Sequence, residues 1–190
     1  MVENEEHEIK FVVRYGKVSK KTKVLLTSIK RMFEPNTNTK FNETNKFDLK
    51  LYKKLAEMYP IDIFIVLKES KSGVHIKICK ANEQTSVYLQ VIAFDAYSVN
   101  GNYKSDALLT FNGFDEDDAF RKLFGKQHFK NVDSVERVIN FTKNNELIYV
   151  RHYKIIKTEG RCVKIGLKEV GPKIQMKYVK TDESSLGEHW

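Results

Sequence analysis

The chain has 190 residues, 41% of them hydrophobic, which is enough for the core of one domain or of two small intimate ones. Its two cysteines, Cys79 and Cys162, lie far apart in strand-like segments, which excludes a disulfide framework and a cysteine-based zinc site. No apolar run is as long as a membrane span requires, and the acidic first eight residues are unlike a signal peptide. We therefore expect an intracellular protein.

The formal net charge of +8 is concentrated in two parts of the chain. Residues 9–33 contain eight lysines and arginines and no acid, and residues 151–180 contain nine cations against two glutamates. One such cluster is equally compatible with an ordinary solvated surface. Two clusters at equivalent places in a duplicated fold favour binding to a polyanion.

The first predicted element is a short buried strand over Lys23–Ser28. The polar loop 34–43 that follows has the most flexible composition of any internal stretch. Thr44 or Asn45 then caps a helix that ends by Tyr59. Its apolar positions, spaced three or four residues apart, are Phe47, Leu51, Leu55 and Met58.

Pro60 precedes a run over Ile61–Leu67 that is apolar on both faces and therefore predicts a central strand. Because a strand, helix and strand unit favours parallel pairing, this strand is expected to pair with Val24–Ser28. The turn 71–73 leads into an alternating antiparallel partner over 74–78. Residues 87–97 are apolar without a decisive period and stay unassigned between helix and strand.

The second half repeats this order, starting from a predicted strand over Ala107–Phe111. Asp115 is the predicted cap of a helix with acids in its first turn, a better explanation of the acidic run than a metal site. Gly125 is its predicted stop. The remaining predicted strands are 134–142 and 146–156 around the turn 143–145, then 163–167 and 174–178 around Gly171 and Pro172. The repeated order predicts an α+β fold built from two related α/β halves.

The sequence offers no motif for catalysis. A nucleophile elbow, a metalloprotease helix, a phosphate-binding glycine loop and a dinucleotide fingerprint are all missing from the sequence. The five histidines are dispersed along the chain, and for His75 and His152, both in strands, a structural role is favoured over a catalytic one. We predict no catalytic residue, no metal ligand and no cofactor.

Cationic residues near predicted loops are the candidates for contact with RNA. Ser28, Lys30 and Arg31 offer a hydroxyl and two cations at a predicted strand end. Arg151 and His152 lie between tyrosines in the segment Tyr149–Tyr153, which is suited to base stacking and phosphate contact, although the two tyrosines are equally explained as core residues. The predicted RNA-binding residues are Lys17, Lys20, Lys21, Lys23, Ser28, Lys30, Arg31, Arg151, His152 and Lys173.

The segment Leu167–Ile174, reading LKEVGPKI, is similar to the closing motif of Brix-domain proteins, with Lys173 in place of the usual arginine. Val24–Ser28, Leu109–Phe111 and Tyr149–Tyr153 match further family segments in the same order. The chain therefore resembles the Brix-domain family of nucleolar ribosome-assembly factors over about residues 14–178. Asp48–Tyr59 and Asn100–Asn102 look most like the founding Brix subtype, which acts on the large subunit.

The resemblance implies a Brix domain over residues 10–180, with mixed sheets and packed helices, halves at about 10–98 and 99–180, and tails at 1–9 and 181–190. It implies a non-enzymatic factor of the nucleus and nucleolus that binds precursor ribosomal RNA during large-subunit (60S) maturation. The implied partners are a helical ribosome-assembly protein and other pre-60S factors, and no membrane.

Three alternatives remain open at this point. The first is a protein-interaction scaffold within pre-ribosomal particles, and the second is a Brix paralogue that acts on the small subunit. The third and least favoured is an enzyme that modifies or cleaves RNA. Reversing the charge of Lys30, Arg31 and Lys173 together is expected to weaken RNA binding without unfolding the protein.

Overall fold

The computed structural model describes residues 8–41, 43, 48–81, 83, 85–96, 103–125, 127, 134–158 and 163–182. Within these ranges the chain forms one mixed sheet of nine strands and three helices. In chain order the elements are β1 (Ile9–Tyr15), α1 (Lys20–Met32), α2 (Leu49–Met58), β2 (Ile61–Ser70), β3 (Gly73–Lys80), β4 (Ser86–Asp95), β5 (Leu108–Asn112), α3 (Ala119–Leu123), β6 (Arg137–Asn144), β7 (Leu147–Thr158), β8 (Lys164–Glu169) and β9 (Lys173–Asp182).

The two halves have the same strand order when each is followed from its own edge of the sheet towards the centre. The order is β1-β2-β3-β4-β9-β7-β6-β5, with β8 paired to β7 outside this path. Each edge begins with a parallel pair, β1 with β2 and β5 with β6, and the inner pairs are antiparallel. The two halves thus share one continuous sheet through β4 and β9, in place of the separate sheets expected. The described chain is rich in strands, and the expectation of packed helices is not confirmed.

The predicted strand over Lys23–Ser28 is wrong, because these residues lie inside α1. The Ser19 hydroxyl accepts a hydrogen bond from the Thr22 backbone N–H at 3.2 Å and caps the helix. The buried positions Thr22, Leu25, Leu26, Ile29 and Met32 follow a helical period over thirteen residues. The parallel partner of β2 is β1, so the predicted pairing was also misplaced.

Most other predicted elements are confirmed, with shifted ends. The unassigned stretch 87–97 contains β4. The helix predicted from Asp115 begins later, because Asp118 caps it by accepting from the Phe120 N–H at 2.9 Å, and the preceding acids lie before the helix. Asp48 caps α2 by accepting from the Leu51 N–H at 3.0 Å, whereas Thr44, Asn45 and Phe47 lie outside the described residues. Gly125 follows α3 with φ of +49°.

The helices divide the core into two clusters on opposite faces of the sheet. α1 and α3 pack on one face, over both halves. α2 packs on the other face over the first half only, where Tyr52 meets Phe11 with ring centroids 6.1 Å apart. Cys79 is fully buried there, and burial raises the pKa of its thiol to about 11. Cys162 lies outside the described residues.

Both edge strands are capped by an amide side chain. Asn38 accepts from the Val12 N–H at 2.8 Å and donates to the Val12 carbonyl at 2.9 Å, along the outer edge of β1. Gln127 does the same at β5, accepting from the Leu109 N–H at 2.6 Å and donating to the Ala107 carbonyl at 3.0 Å. Unpaired backbone N–H and carbonyl groups at a sheet edge can pair with a strand of another chain, and these amides hydrogen-bond to such groups instead. The polar loop 34–43, predicted to be flexible, is thus hydrogen-bonded to the sheet.

The first and last strands in the chain reach into the predicted tails, because β1 begins at Ile9 and β9 continues to Asp182. None of the helices formed by the described residues is long and apolar enough to cross a membrane.

Candidate nucleic-acid interface

Four lysines surround the start of α1. Lys17 lies in the loop before the helix, and Lys20, Lys21 and Lys23 lie in its first turns, all four exposed. The Lys21 ammonium lies 4.8 Å from the centroid of the Phe94 ring, which ties it to β4. We call these four lysines the N-terminal basic cluster. It exists because α1 buries its apolar stripe and leaves its lysines in water.

A groove with a volume of about 560 Å³ runs between α1 and the loop 34–43. Its lining contains the cations Arg14, Lys23, Lys30, Arg31 and Lys40, together with the carboxylates of Glu34 and Glu43. The excess of cations continues the N-terminal basic cluster along the helix. The excess of cations in this lining attracts a polyanion.

Lys30 is buried in this groove and is already paired. Its ammonium lies 2.5 Å from a carboxylate oxygen of Glu43, and the side chains of Lys30 and Glu43 are only 8% and 5% exposed. Arg14 lies on the other side of Glu43, with its Nε 3.7 Å from the second oxygen. Lys30 is therefore a structural cation, and reversing its charge would leave Glu43 buried against another acid.

Two further residues predicted to bind RNA are buried. The Ser28 hydroxyl donates to the Val24 carbonyl at 2.9 Å within its own helix. His152 is 2% exposed and uses both ring nitrogens inside the protein. Neither side chain presents a group to a ligand at the surface. The binding surface proposed below therefore does not rely on Ser28, Lys30 or His152, whose contact with RNA stays a prediction.

Arg137 was not predicted, and it joins the two halves. Its guanidinium donates to the carbonyls of Met32 at 3.2 Å, Glu34 at 2.5 Å and Ser105 at 2.7 Å. The Tyr103 ring lies over it, with the guanidinium carbon 3.8 Å from the ring centroid. We call these residues, together with His152, the Arg137 cluster. It binds the carboxyl end of α1 to β6.

His152 connects the Arg137 cluster to the segment that carries the family motif. Its Nε2 lies 3.2 Å from an Arg137 nitrogen and accepts from it, and its Nδ1 donates to the Gly171 carbonyl at 2.7 Å. Burial, and then the Arg137 charge, lower the pKa of His152 to about 4, although the Gly171 carbonyl acts in the opposite direction. A neutral ring fits this assignment, because one nitrogen must accept. The structural role favoured for His152 is confirmed.

A small cavity brings predicted residues from distant segments together. Ser28 and Arg31 of α1 line it beside Gly171 and Pro172, with His152 at its base. Gly171 adopts φ of +74°, a left-handed conformation that suits glycine. The glycine-proline turn is therefore seated against the carboxyl end of α1.

Arg151 and Lys173 lie on the opposite face of the sheet from α1. Both contact Glu169: Lys173 Nζ at 2.8 Å and Arg151 Nε at 3.8 Å. The strand register brings the three side chains together. Tyr153 of β7 pairs with Glu169 of β8, and Val150 of β7 pairs with Ile174 of β9, so Arg151 lies near both Glu169 and Lys173. The side chains of Arg151 and Lys173 remain 32% and 43% exposed. The predicted cations thus form two separate surfaces.

Tyr149 and Tyr153 accompany Arg151 on that second surface. The core positions of β7 are Ile148, Val150 and His152, whose side chains point to the α1 side. Tyr149 and Tyr153 alternate with them and are half-buried on the other side. The explanation of these tyrosines as core residues is therefore wrong.

Arg137 had a signal in the sequence that was overlooked. It alternates with Val135, Ile139 and Phe141, all of them buried, so period-two patterning puts it on the core face of β6. A cation in such a position needs buried carbonyl or carboxylate partners. Among the described residues no group of three or more histidine, cysteine or acidic side chains is arranged to hold a metal ion.

The fold and these surfaces can be compared with known proteins. A probable ribosomal biogenesis protein from Aeropyrum pernix K1 has a similar structure, with a TM-score of 0.59 and 11% sequence identity, over 90% of this chain and 96% of that chain. None of the curated protein sequences compared with this chain matches it. The family model described as the Brix domain matches residues 15–180, which include both halves of the sheet, the Arg137 cluster and the glycine-proline turn. The chain therefore belongs to the Brix-domain family.

Proposed function

We propose that this protein is a non-enzymatic ribosome-assembly factor that binds precursor ribosomal RNA through the N-terminal basic cluster and the adjoining groove. The observation that carries the proposal is the exposed charge of α1, whose apolar stripe is buried while Lys17, Lys20 and Lys23 face water. Lysines in this arrangement contact phosphates and release condensed counterions. Membership of the Brix-domain family supports the assembly role.

The finer assignment is to maturation of the large (60S) subunit in the nucleolus. It is supported by the likeness of Asp48–Tyr59 to the founding subtype. The structural similarity to a probable ribosomal biogenesis protein agrees with an assembly role and is neutral as to subunit. A small-subunit paralogue is the competing assignment, and the RNA bound in cells distinguishes the two.

A protein partner is proposed for the projecting part of β7 and β8. Residues 155–158 of β7 extend beyond the β6 pairing and pair with β8. On this ribbon Val163, Ile165 and Leu167 are 59–69% exposed and share one side of β8. A contiguous aliphatic surface of this kind marks a protein contact. A helix with an apolar stripe, from another assembly factor, is the partner we propose there.

The RNA-binding proposal is tested with two matched triple variants. The first replaces Lys17, Lys20 and Lys23 by glutamate, and the control replaces three lysines of α2 in the same way. The α2 lysines Lys50, Lys53 and Lys54 are also exposed and give the same change in net charge. Affinity for precursor ribosomal RNA is measured by fluorescence anisotropy at several salt concentrations.

We expect the first variant to lose affinity by at least about tenfold and to show a shallower dependence on salt, by about 0.9 in the log–log slope for each phosphate contact removed from a duplex. The α2 variant should keep most of the wild-type affinity and slope. Equal losses in the two variants would mean that RNA responds to net charge alone, and would remove α1 as the binding surface.

A further inference from the structure

One face of the second half carries no helix in the ranges that the structure describes. α1 and α3 occupy the other face, and α2 contacts only the first half on this side. None of the side chains that β5, β6 and β7 present here is buried: Asn112 is exposed and the others are half-buried. We call this surface the open face; it comprises Leu108, Thr110, Asn112, Val138, Asn140, Thr142, Tyr149, Arg151, Tyr153 and Gln175.

The composition of the open face differs from that of the face under α2. The rows that α2 covers read Phe11, Phe64 and Cys79, then Val13, Val66 and Lys77 across β1, β2 and β3. The rows of the open face read Leu108, Val138 and Tyr153, then Thr110, Asn140 and Arg151, then Asn112, Thr142 and Tyr149 across β5, β6 and β7. The covered rows are mainly apolar and suit a helix. On the open face the first row is mainly apolar, and the other two supply hydroxyl, amide, aromatic and cationic groups.

The polar groups of the open face are held in fixed orientations. The Asn140 side-chain oxygen accepts from the Thr110 hydroxyl at 2.8 Å and from the Asn112 amide at 2.7 Å. The Asn140 amide in turn donates to the Thr142 hydroxyl at 3.0 Å. An apolar helix laid on this network would bury amide and hydroxyl groups that still need partners. A ligand with hydrogen-bonding edges fits this face better.

Two aromatic rings and two cations complete the surface. Tyr149 and Tyr153 lie on the same strand about 13 Å apart, a distance that allows each ring to stack on a separate base. No hydrogen bond or ring contact is found for either tyrosine side chain within the described part of the chain. Arg151 lies between them, and Lys173 neighbours it on β9. Both cations contact Glu169, yet their side chains remain 32% and 43% exposed, so they are accessible to the phosphates of a strand whose bases contact the rings.

We infer that the open face binds unpaired bases of single-stranded RNA, with Tyr149 and Tyr153 as the stacking platforms. The inference rests on the proposed RNA-binding function and adds the class of RNA. The N-terminal basic cluster recognises phosphate charge, whether the RNA is paired or not. The open face recognises bases, which a duplex keeps stacked inside. The protein would therefore prefer RNA in which a helix adjoins an unpaired segment.

The test replaces Tyr149 and Tyr153 together by threonine, which removes both rings and retains a high preference for strands. The matched control replaces both tyrosines by phenylalanine, which keeps the rings. A second control replaces Tyr59, 55% exposed at the end of α2, by threonine. Affinity is measured for an unpaired RNA oligonucleotide and for a fully paired RNA hairpin of the same length.

We expect the double threonine variant to lose at least about tenfold in affinity for the unpaired RNA, equivalent to about 1.4 kcal/mol. Its affinity for the hairpin and its salt dependence should equal those of the wild type, because no phosphate contact is removed. The phenylalanine variant and the Tyr59 variant should bind both RNAs as the wild type does.

Unchanged affinity of the double threonine variant for unpaired RNA would overturn the inference. The proposed function would still stand in that case if RNA affinity falls when the lysines of the N-terminal basic cluster are replaced. Failure of the wild type to bind either RNA would overturn both. A photo-crosslinking residue in place of Tyr153, in the native cell, gives a second readout. RNA adducts support the inference, and adducts with polypeptide alone overturn it.

Discussion

Among the residues that the structure describes, the two halves have the same strand order, yet the first half buries both faces of its strands and the second half buries one. Under α2, the β2 residues Phe64 and Val66 are 1% and 0% exposed. The β6 residues on the corresponding side, Asn140 and Thr142, are half-buried and polar. The comparison teaches that strand pairing and face composition are separable, because two halves with the same pairing carry faces of different composition.

The halves also agree in how their outer strands are closed. Asn38 and Gln127 each occupy one backbone N–H and one carbonyl at an edge strand, in the loop that follows the first helix of each half. The same solution thus occupies polar backbone groups at the outer edges of β1 and β5.

The largest expected effect contrasts the two faces directly. Phe64→Ala, under α2, is expected to lower the free energy of unfolding by about 3–5 kcal/mol, because it opens a cavity against Phe11 and Tyr52. Gln175→Ala on the open face is expected to change it by at most about 0.5 kcal/mol. Urea denaturation of both variants measures the difference. Comparable losses would mean that the open face is also a packed core.

The next effect concerns the junction between the halves. Arg137→Met is expected to cost about 3 kcal/mol, because three backbone carbonyls lose a charged donor in a buried site. The matched control is Lys154→Met, on the exposed side chain that pairs with Arg137 across the strands. Denaturation monitored in each half by a local probe measures the effect. A loss no larger than that of the control would show that Arg137 adds little to the junction formed by the sheet and the shared core.

A smaller, pH-dependent effect follows from His152. Its pKa is about 4 in the folded protein and 6.5 in the unfolded chain, so the unfolded state binds more protons between these values. The contribution to stability is complete above about pH 6.5 and is lost as the pH falls towards 4. His152→Gln should be less stable at pH 7 and should lack this part of the pH dependence. The control His75→Gln should retain it, and a wild-type slope in His152→Gln would contradict the assignment.

The smallest effect tests the equivalence of the two edges. Asn38→Ala and Gln127→Ala each remove two hydrogen bonds at an edge, where water can replace part of what is lost. Each is expected to lower the free energy of unfolding by about 1 kcal/mol. Thermal denaturation compares the two. Losses that differ several-fold would show that the two amides stabilise their edges unequally.

Much of the fold was predictable because alternation survives in most strands. Alternation indicated β3, β8 and β9, short apolar runs indicated β2 and β5, and β6 and β7 were predicted on either side of the turn 143–145. β4 was not, since its pairing with β9 shifts register after Tyr88 and again after Val91, which breaks the period of two. α1 was missed because the short apolar run Val24–Leu26 outweighed the Ser19 cap and the helical period around it.

The positive charge of the candidate site could be predicted from the sequence, but which of its cations are exposed could be predicted less well. The N-terminal basic cluster follows from exposed lysines near a helix start. The burial of Lys30 depends on Glu43, which the loop brings to it from thirteen residues away. Arg137 was overlooked because cations were assigned to the surface, although its alternation with core residues indicated otherwise. Partners that are distant in the sequence decide which cations reach a ligand.

The most direct test is ultraviolet crosslinking of the protein to RNA in its native cells, with sequencing of the RNA and mass-spectrometric identification of the linked peptides. The account predicts precursor ribosomal RNA, with large-subunit sequences dominant, linked to peptides that contain the N-terminal basic cluster. Two results would contradict the account. One is the absence of ribosomal RNA from the crosslinked material when control proteins crosslink efficiently. The other is ribosomal RNA linked only to peptides outside α1 and its groove.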